Sequence, residues 1–102
     1  DFGVGNGAFL SKLREYIPHA DFTGIDISTE MLAKAAEKIP LTTIETSATE
    51  ASHFLPPHSQ DLVLAHFVNA YIPIHVLFNQ ASLLTKATGY YSLITTTYES
   101  FP

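Results

Sequence analysis

The sequence has no cysteine, few cations and no long apolar run, and each shortage removes a class of function. Without cysteine there are no disulfides, no thiolate metal sites and no cysteine nucleophile. Such a composition suits a reducing cytoplasm. Five lysines and arginines stand against ten acids, for a net charge of −5. Of the five, Lys12, Arg14, Lys34 and Lys38 fall on two expected helices and Lys86 stands apart. No basic patch is available for phosphates, so nucleic acid is not an expected partner. No apolar run approaches the roughly 20 residues that a membrane helix needs, so no membrane partner is expected either. Asp1 leads straight into glycines, with no basic segment followed by an apolar one, so the start does not read as a secretory signal. What is present is a 46% hydrophobic and 15% charged chain of 102 residues, too apolar for a disordered tail and long enough to fill one core.

The apolar residues alternate between two periods. Phe9, Leu10, Leu13, Tyr16 and Ile17 recur at helical spacing, and Pro18 stops them. Phe22 to Ile27 reads as a short strand. Ser28 is placed to cap a helix carrying Met31, Leu32, Ala35, Ala36 and Ile39, ended by Pro40. Leu41 to Thr46 is rich in β-branched residues and reads as a strand. Ser47 to Gln60 contains Pro56 and Pro57 and reads as a loop with room for one helical turn. Asp61 to His66 is a continuous apolar strand, as expected where both faces are covered. A helix follows from Ile74 to Lys86, Gly89 breaks it, and Tyr90 to Tyr98 forms a last strand. This alternation predicts an α/β fold, a parallel sheet with helices on both faces.

The glycine-rich start at Gly3 should follow a central strand, of which Asp1 and Phe2 are all that precede it. The sequence is therefore expected to be part of a longer domain. Its first strand would be mostly missing, and its last strands absent.

The sharpest chemical signal is Asp1-Phe2-Gly3-Val4-Gly5-Asn6-Gly7, running into a helix. Glycines let a backbone turn tightly and approach a ligand, and the N–H groups of the helix behind them favour a carboxylate-bearing group. Asp26 ends the next strand about twenty residues later, where an acid accepts ribose hydroxyls. A strand-end acid facing a cleft is not core, so Asp26→Ala is expected to spare folding. Gly3, Gly5 and Ala8 also satisfy a dinucleotide pattern. Asp1 weighs against it, because a carboxylate beside the loop repels a pyrophosphate and attracts an ammonium. At about 4 Å and an effective dielectric near 20 that sign is worth about 4 kcal/mol before desolvation.

These residues, with Gly24-Ile25-Asp26-Ile27-Ser28 and Glu30-Met31-Leu32, resemble the first two motifs of class I S-adenosylmethionine-dependent methyltransferases. Asp61-Leu62-Val63-Leu64-Ala65 is similar to the fourth strand of that family. The resemblance implies a Rossmann-like fold and S-adenosyl-L-methionine as cofactor. It puts Asp1, Gly3, Val4 and Gly5 at the methionine moiety and Asp26 at the ribose, with Ile27 and Met31 around the adenine. Ser47, Ala48 and Thr49 fall where the family often carries an aspartate on the adenine amino group. The Ser47 hydroxyl and a backbone N–H near Ala48 are the substitutes here. Ala65 and His66 end the strand beside the reactive methyl. His66 is either a packed histidine or a general base. The implied reaction is methyl transfer to a small-molecule acceptor. Two rivals are an NAD(P)-binding oxidoreductase and a methyltransferase-like chain without catalysis.

Several residues have plainer readings. His53 and His58 flank the proline loop and are expected to be exposed, without the spacing or the acid of a metal site. Asp61 reads as a solvated strand end. Tyr90 and Tyr91 read as packing residues on opposite faces of a strand.

Overall fold

The Oγ of Ser28 accepts the N–H of Met31 at 3.2 Å, and this N-cap starts a helix where the sequence places one. The computed structural model describes residues 1–66 and 72–94. In chain order its elements are α1 (Ala8–Arg14), β1 (Thr23–Asp26), α2 (Thr29–Lys38), β2 (Thr42–Glu45), a 3-10 helix (Ala48–His53), β3 (Gln60–His66), α3 (Ile74–Leu84) and β4 (Thr85–Ile94). β1 pairs with β2, and β3 with β4, both in parallel. Asp1 to Gly3 joins the two pairs. Phe2 donates its N–H to Leu64 O (2.8 Å), Ile25 donates to Asp1 O (2.9 Å), and Gly3 donates to Ile25 O (2.7 Å). The spatial order is thus β2, β1, the Asp1–Gly3 segment, β3, β4.

Two apolar layers cover this sheet. On one face Val4, Leu10, Leu32, Ala35, Ile39 and Leu64 pack beneath α1 and α2. On the other, Phe2, Ile25, Val63 and Ala65 meet the 3-10 helix and α3 through Ala48, Ala51, Leu77 and Ala81. Alternate side chains of β3 serve opposite layers, as strand geometry requires. The expected α/β sandwich with helices on both faces is the fold observed. Among the described residues, no helix is long and apolar enough to cross a membrane.

Several local readings are corrected. α1 stops at Arg14, and Tyr16 is 82% exposed rather than part of an apolar helix face. α3 ends at Leu84 and not at Lys86, because Thr85 is already extended and its Oγ1 donates to Ala81 O at 2.6 Å, capping the last turn. Gly89 therefore breaks no helix. It lies inside β4 opposite Asp61, where the β3–β4 register shifts. Tyr90 is 77% exposed and packs little, whereas Tyr91 meets the ring of Phe78 edge-on at 5.5 Å. Residues 95–98 of the expected last strand lie outside the described residues. The continuous run of β3 is not covered throughout, for Asp61 and Leu62 are exposed. Asp61 pairs with Lys86 at 3.1 Å at the solvated end of the strand.

Between β1 and β3, on the amino-terminal side of the Asp1–Gly3 bridge, lies a cleft of about 490 Å³ whose apolar lining includes Leu10, Leu13, Ile17, Phe22, Leu62 and Leu64. It opens at the end of the sheet opposite the glycine loop.

Candidate functional site

The glycine loop, the end of β1 and the end of β3 meet at the carboxyl edge of the sheet, where open α/β folds bind ligands. Gly3, Gly5 and Gly7 all have positive φ, at 66°, 58° and 81°. Their roles differ. A Cβ on Gly7 would lie 2.9 Å from both Cα and Cβ of Ala35, so this residue lets α1 dock on α2. A Cβ on Gly5 would meet nothing within 4 Å. Gly5 thus faces open space, the kind of cradle a bound group enters and a side chain would fill. Asn6 completes the turn, its Oδ1 accepting the N–H of Ala8 at 3.0 Å.

Asp26 ties this loop to the sheet. Oδ2 accepts the N–H of Gly5 and Oδ1 accepts the N–H of Ser28, both at 2.9 Å. The carboxylate links the glycine loop with the start of α2. An ionised carboxylate offers about four lone-pair positions, of which two remain for hydroxyls of a ligand.

Next to Asp26, Ile27 is 70% exposed at the same edge, and Met31 is half-buried on the first turns of α2. A single exposed Ile is ordinary; beside a carboxylate and a glycine loop it supplies an apolar wall. The other expected residues are placed differently. Val4, Ala48 and Ala65 are buried, at 6%, 5% and 1% exposure, so their side chains serve the core. The Ser47 hydroxyl is engaged: it accepts from Thr49 N–H at 3.2 Å and from Thr49 Oγ1 at 3.0 Å, capping the 3-10 helix. Its expected use as an adenine contact therefore competes with this cap. Ala48 opens that helix, where a backbone N–H has no intrahelical partner and is left for a ligand.

His66 closes β3 at the same edge. Its Nε2 lies 2.9 Å from Ser92 Oγ, and its ring stands edge-on to Phe9 with centroids 5.0 Å apart. Burial pushes the imidazole pKa below its ordinary value. Sequence reasoning missed Ser92 and Phe9 as its neighbours. They come from a strand and a helix far apart in the chain, and no local pattern marks them. Asn6 carried a readable signal, since an asparagine side chain bonds the backbone two residues on in a turn.

His53 and His58 stand apart from this edge. His53 meets Glu50 at 2.7 Å on the exposed face of the 3-10 helix. His58 is exposed, yet its Nδ1 lies 3.0 Å from Thr85 O and its N–H bonds Leu83 O at 2.8 Å, anchoring the proline loop to the α3–β4 junction. Among the described residues, no three His, Asp or Glu side chains converge as a metal site would require.

A family model described as a methyltransferase domain matches residues 1–89. The curated relatives include a trans-aconitate 2-methyltransferase from Afipia carboxidovorans, 34% identical over 77 residues, covering 74% of this chain and 29% of the relative. A protein of the same name from Streptomyces avermitilis is 32% identical over 80 residues, covering 74% of this chain and 30% of the relative. The chain thus spans less than a third of the length of these relatives. Among solved structures, the plantazolicin methyltransferase BpumL, in complex with a triazolic desmethylPZN analog and SAH, is 30% identical with a TM-score of 0.66, over 83% of this chain and 33% of that one. The PH0226 protein from Pyrococcus horikoshii is 21% identical with a TM-score of 0.80, over 98% and 46%, a likeness of fold.

Proposed function

The chain belongs to the methyltransferase domain family, in its class I Rossmann-like form, and from that premise we propose that it binds S-adenosyl-L-methionine at the carboxyl edge of the sheet and serves methyl transfer to a small-molecule acceptor. The observation that carries this reading is the Asp26 carboxylate, bonded to both Gly5 and Ser28, beneath the open space that Gly5 faces. The residue types suit the cofactor in charge: Asp1 carries a carboxylate for the methionine ammonium, and Gly3, Val4 and Gly5 offer backbone. The free lone pairs of Asp26 suit the ribose hydroxyls, and Ile27 with Met31 suits the adenine. Where the family carries its adenine-binding aspartate, the Ser47 and Thr49 hydroxyls bond each other, and the backbone N–H of Ala48 suits an acceptor nitrogen of the adenine ring rather than its amino group. When bound, the cofactor supplies an electrophilic methyl on a sulfonium. The protein's contribution is to hold it and its acceptor in line.

The proposed acceptor is a small molecule, not nucleic acid, since a net charge of −5 gives phosphates nothing to bind. The proposed setting is the cytoplasm, in keeping with the lack of cysteine.

Thermal unfolding tests the cofactor. Mass action predicts that SAH, at a hundredfold excess over its dissociation constant, stabilises the protein by about 2.7 kcal/mol. NAD at the same concentration should leave the melt unchanged, because Asp1 repels a pyrophosphate. A melt raised by NAD and untouched by SAH would replace this reading with that of a dinucleotide-binding oxidoreductase.

A further inference from the structure

The cofactor reading leaves unused a pair of polar side chains at the carboxyl edge, His66 and Ser92. His66 ends β3, and in the parallel register Leu64 lies opposite Ser92 and His66 opposite Ile94. Ser92 therefore sits two residues back along β4, on the same face, and its Oγ reaches His66 Nε2 at 2.9 Å. From the other side comes the ring of Phe9, in the first turn of α1 directly after the glycine loop. The imidazole is thus held from two elements beside that loop. Burial favours its neutral form. A neutral imidazole carries one N–H and one lone pair, and the partner of one nitrogen decides which role falls to the other.

We propose that Ser92 is a positioning residue that accepts the Nε2–H of His66, leaving the Nδ1 lone pair to take a proton from a hydroxyl or amine nucleophile. This rests on the methyl-transfer reading above. The acceptor's O–H or N–H bond breaks and its proton moves to Nδ1. The electron pair released on oxygen or nitrogen forms the bond to the methyl carbon, and the carbon–sulfur pair stays with sulfur. The imidazolium then returns its proton to water. A carboxylate has no proton to give at neutral pH. A base at this place thus serves a hydroxyl or amine acceptor, unlike the trans-aconitate in the curated relatives' name.

Long-range proton–nitrogen NMR of the intact, histidine-labelled protein reads the tautomer directly, with or without SAH. The expected result is an Nε2–H tautomer for His66 at neutral pH, turning to a mixture of tautomers in Ser92→Ala. Calorimetry should find SAH affinity unchanged in Ser92→Ala. An Nδ1–H tautomer in the wild type, or a tautomer indifferent to Ser92→Ala, overturns the proposal. Methyl transfer to trans-aconitate, used as the carboxylate probe, overturns the acceptor class. Failure of SAH to bind the wild type defeats the cofactor reading instead, and the tautomer measurement tells the two failures apart.

Discussion

Gly7→Ala is expected to destabilise the fold by about 2–5 kcal/mol, while Gly5→Ala, two residues away, destabilises it far less and strikes ligand binding. Both substitutions place an L side chain at positive φ, at 81° and 58°, which costs roughly 1–2 kcal/mol in the left-handed region. The rest of the difference is steric. The new Cβ at position 7 would sit 2.9 Å from Cα and Cβ of Ala35, a residue with no exposed surface in the middle of α2. Backbone cannot swing aside as a flexible side chain does, so α1 must lift off α2, and overpacking of this kind costs about 1–3 kcal/mol. Against a typical net stability of about 5–15 kcal/mol, this leaves Gly7→Ala marginal. The Cβ at position 5 meets no protein atom. It projects into the space assigned to the cofactor, and SAH affinity should fall at least about tenfold, or 1.4 kcal/mol. Urea midpoints and SAH calorimetry on the two variants check the pair. Equal stability for both would mean that α1 does not depend on its contact with Ala35.

Much of this arrangement was legible because the sequence repeats one physical pattern. Apolar residues at period 3.6 alternate with short β-branched or apolar runs, and serine or proline marks the joints, so α2, β1, β2 and β3 lie within a residue or two of their expected bounds. The glycine loop and Asp26 were visible together because their spacing follows from a single strand–loop–helix–strand unit. Where the reading erred, another contact or an earlier helix end outweighed the cue. Gly89 looks like a helix breaker, but Thr85 ends α3 four residues earlier by turning its hydroxyl back to Ala81. Tyr16 has the spacing of a core residue, but α1 has already ended at Arg14. The triplet Gly3, Gly5 and Gly7 looks uniform in sequence, yet the third glycine serves packing, because Ala35 lies against it. No pattern announces Ser92 as the partner of His66, for the two meet through the β3–β4 register alone.

Asp26→Ala should lower both folding stability and cofactor affinity, which corrects the expectation that a strand-end acid leaves folding untouched. Its carboxylate accepts two backbone N–H groups, from Gly5 and Ser28, at 2.9 Å each. Hydrogen bonds to a charged group contribute about 1.5–3 kcal/mol each when shielded from water. Asp26 is half-buried, so water replaces part of each bond on removal, and a combined loss of about 1–3 kcal/mol is expected. Affinity for SAH should drop more steeply. The variant removes the acceptors assigned to the ribose and also frees the loop, so the cofactor must order Gly5 as it binds. Asp26→Asn separates the two effects. Its amide keeps one oxygen for one of the backbone donors but turns an NH₂ toward the other, so about one of the two anchors survives. It should fall between wild type and Asp26→Ala in urea midpoint, yet bind SAH about as weakly as Asp26→Ala, because the charged acceptor is gone from the ribose position. If Asp26→Ala unfolds at the wild-type urea concentration, the two backbone bonds carry no stability and the loop holds itself through its turns. If SAH affinity stays unchanged in both variants, the ribose is bound elsewhere, and the carboxylate is a structural tie between the glycine loop and α2.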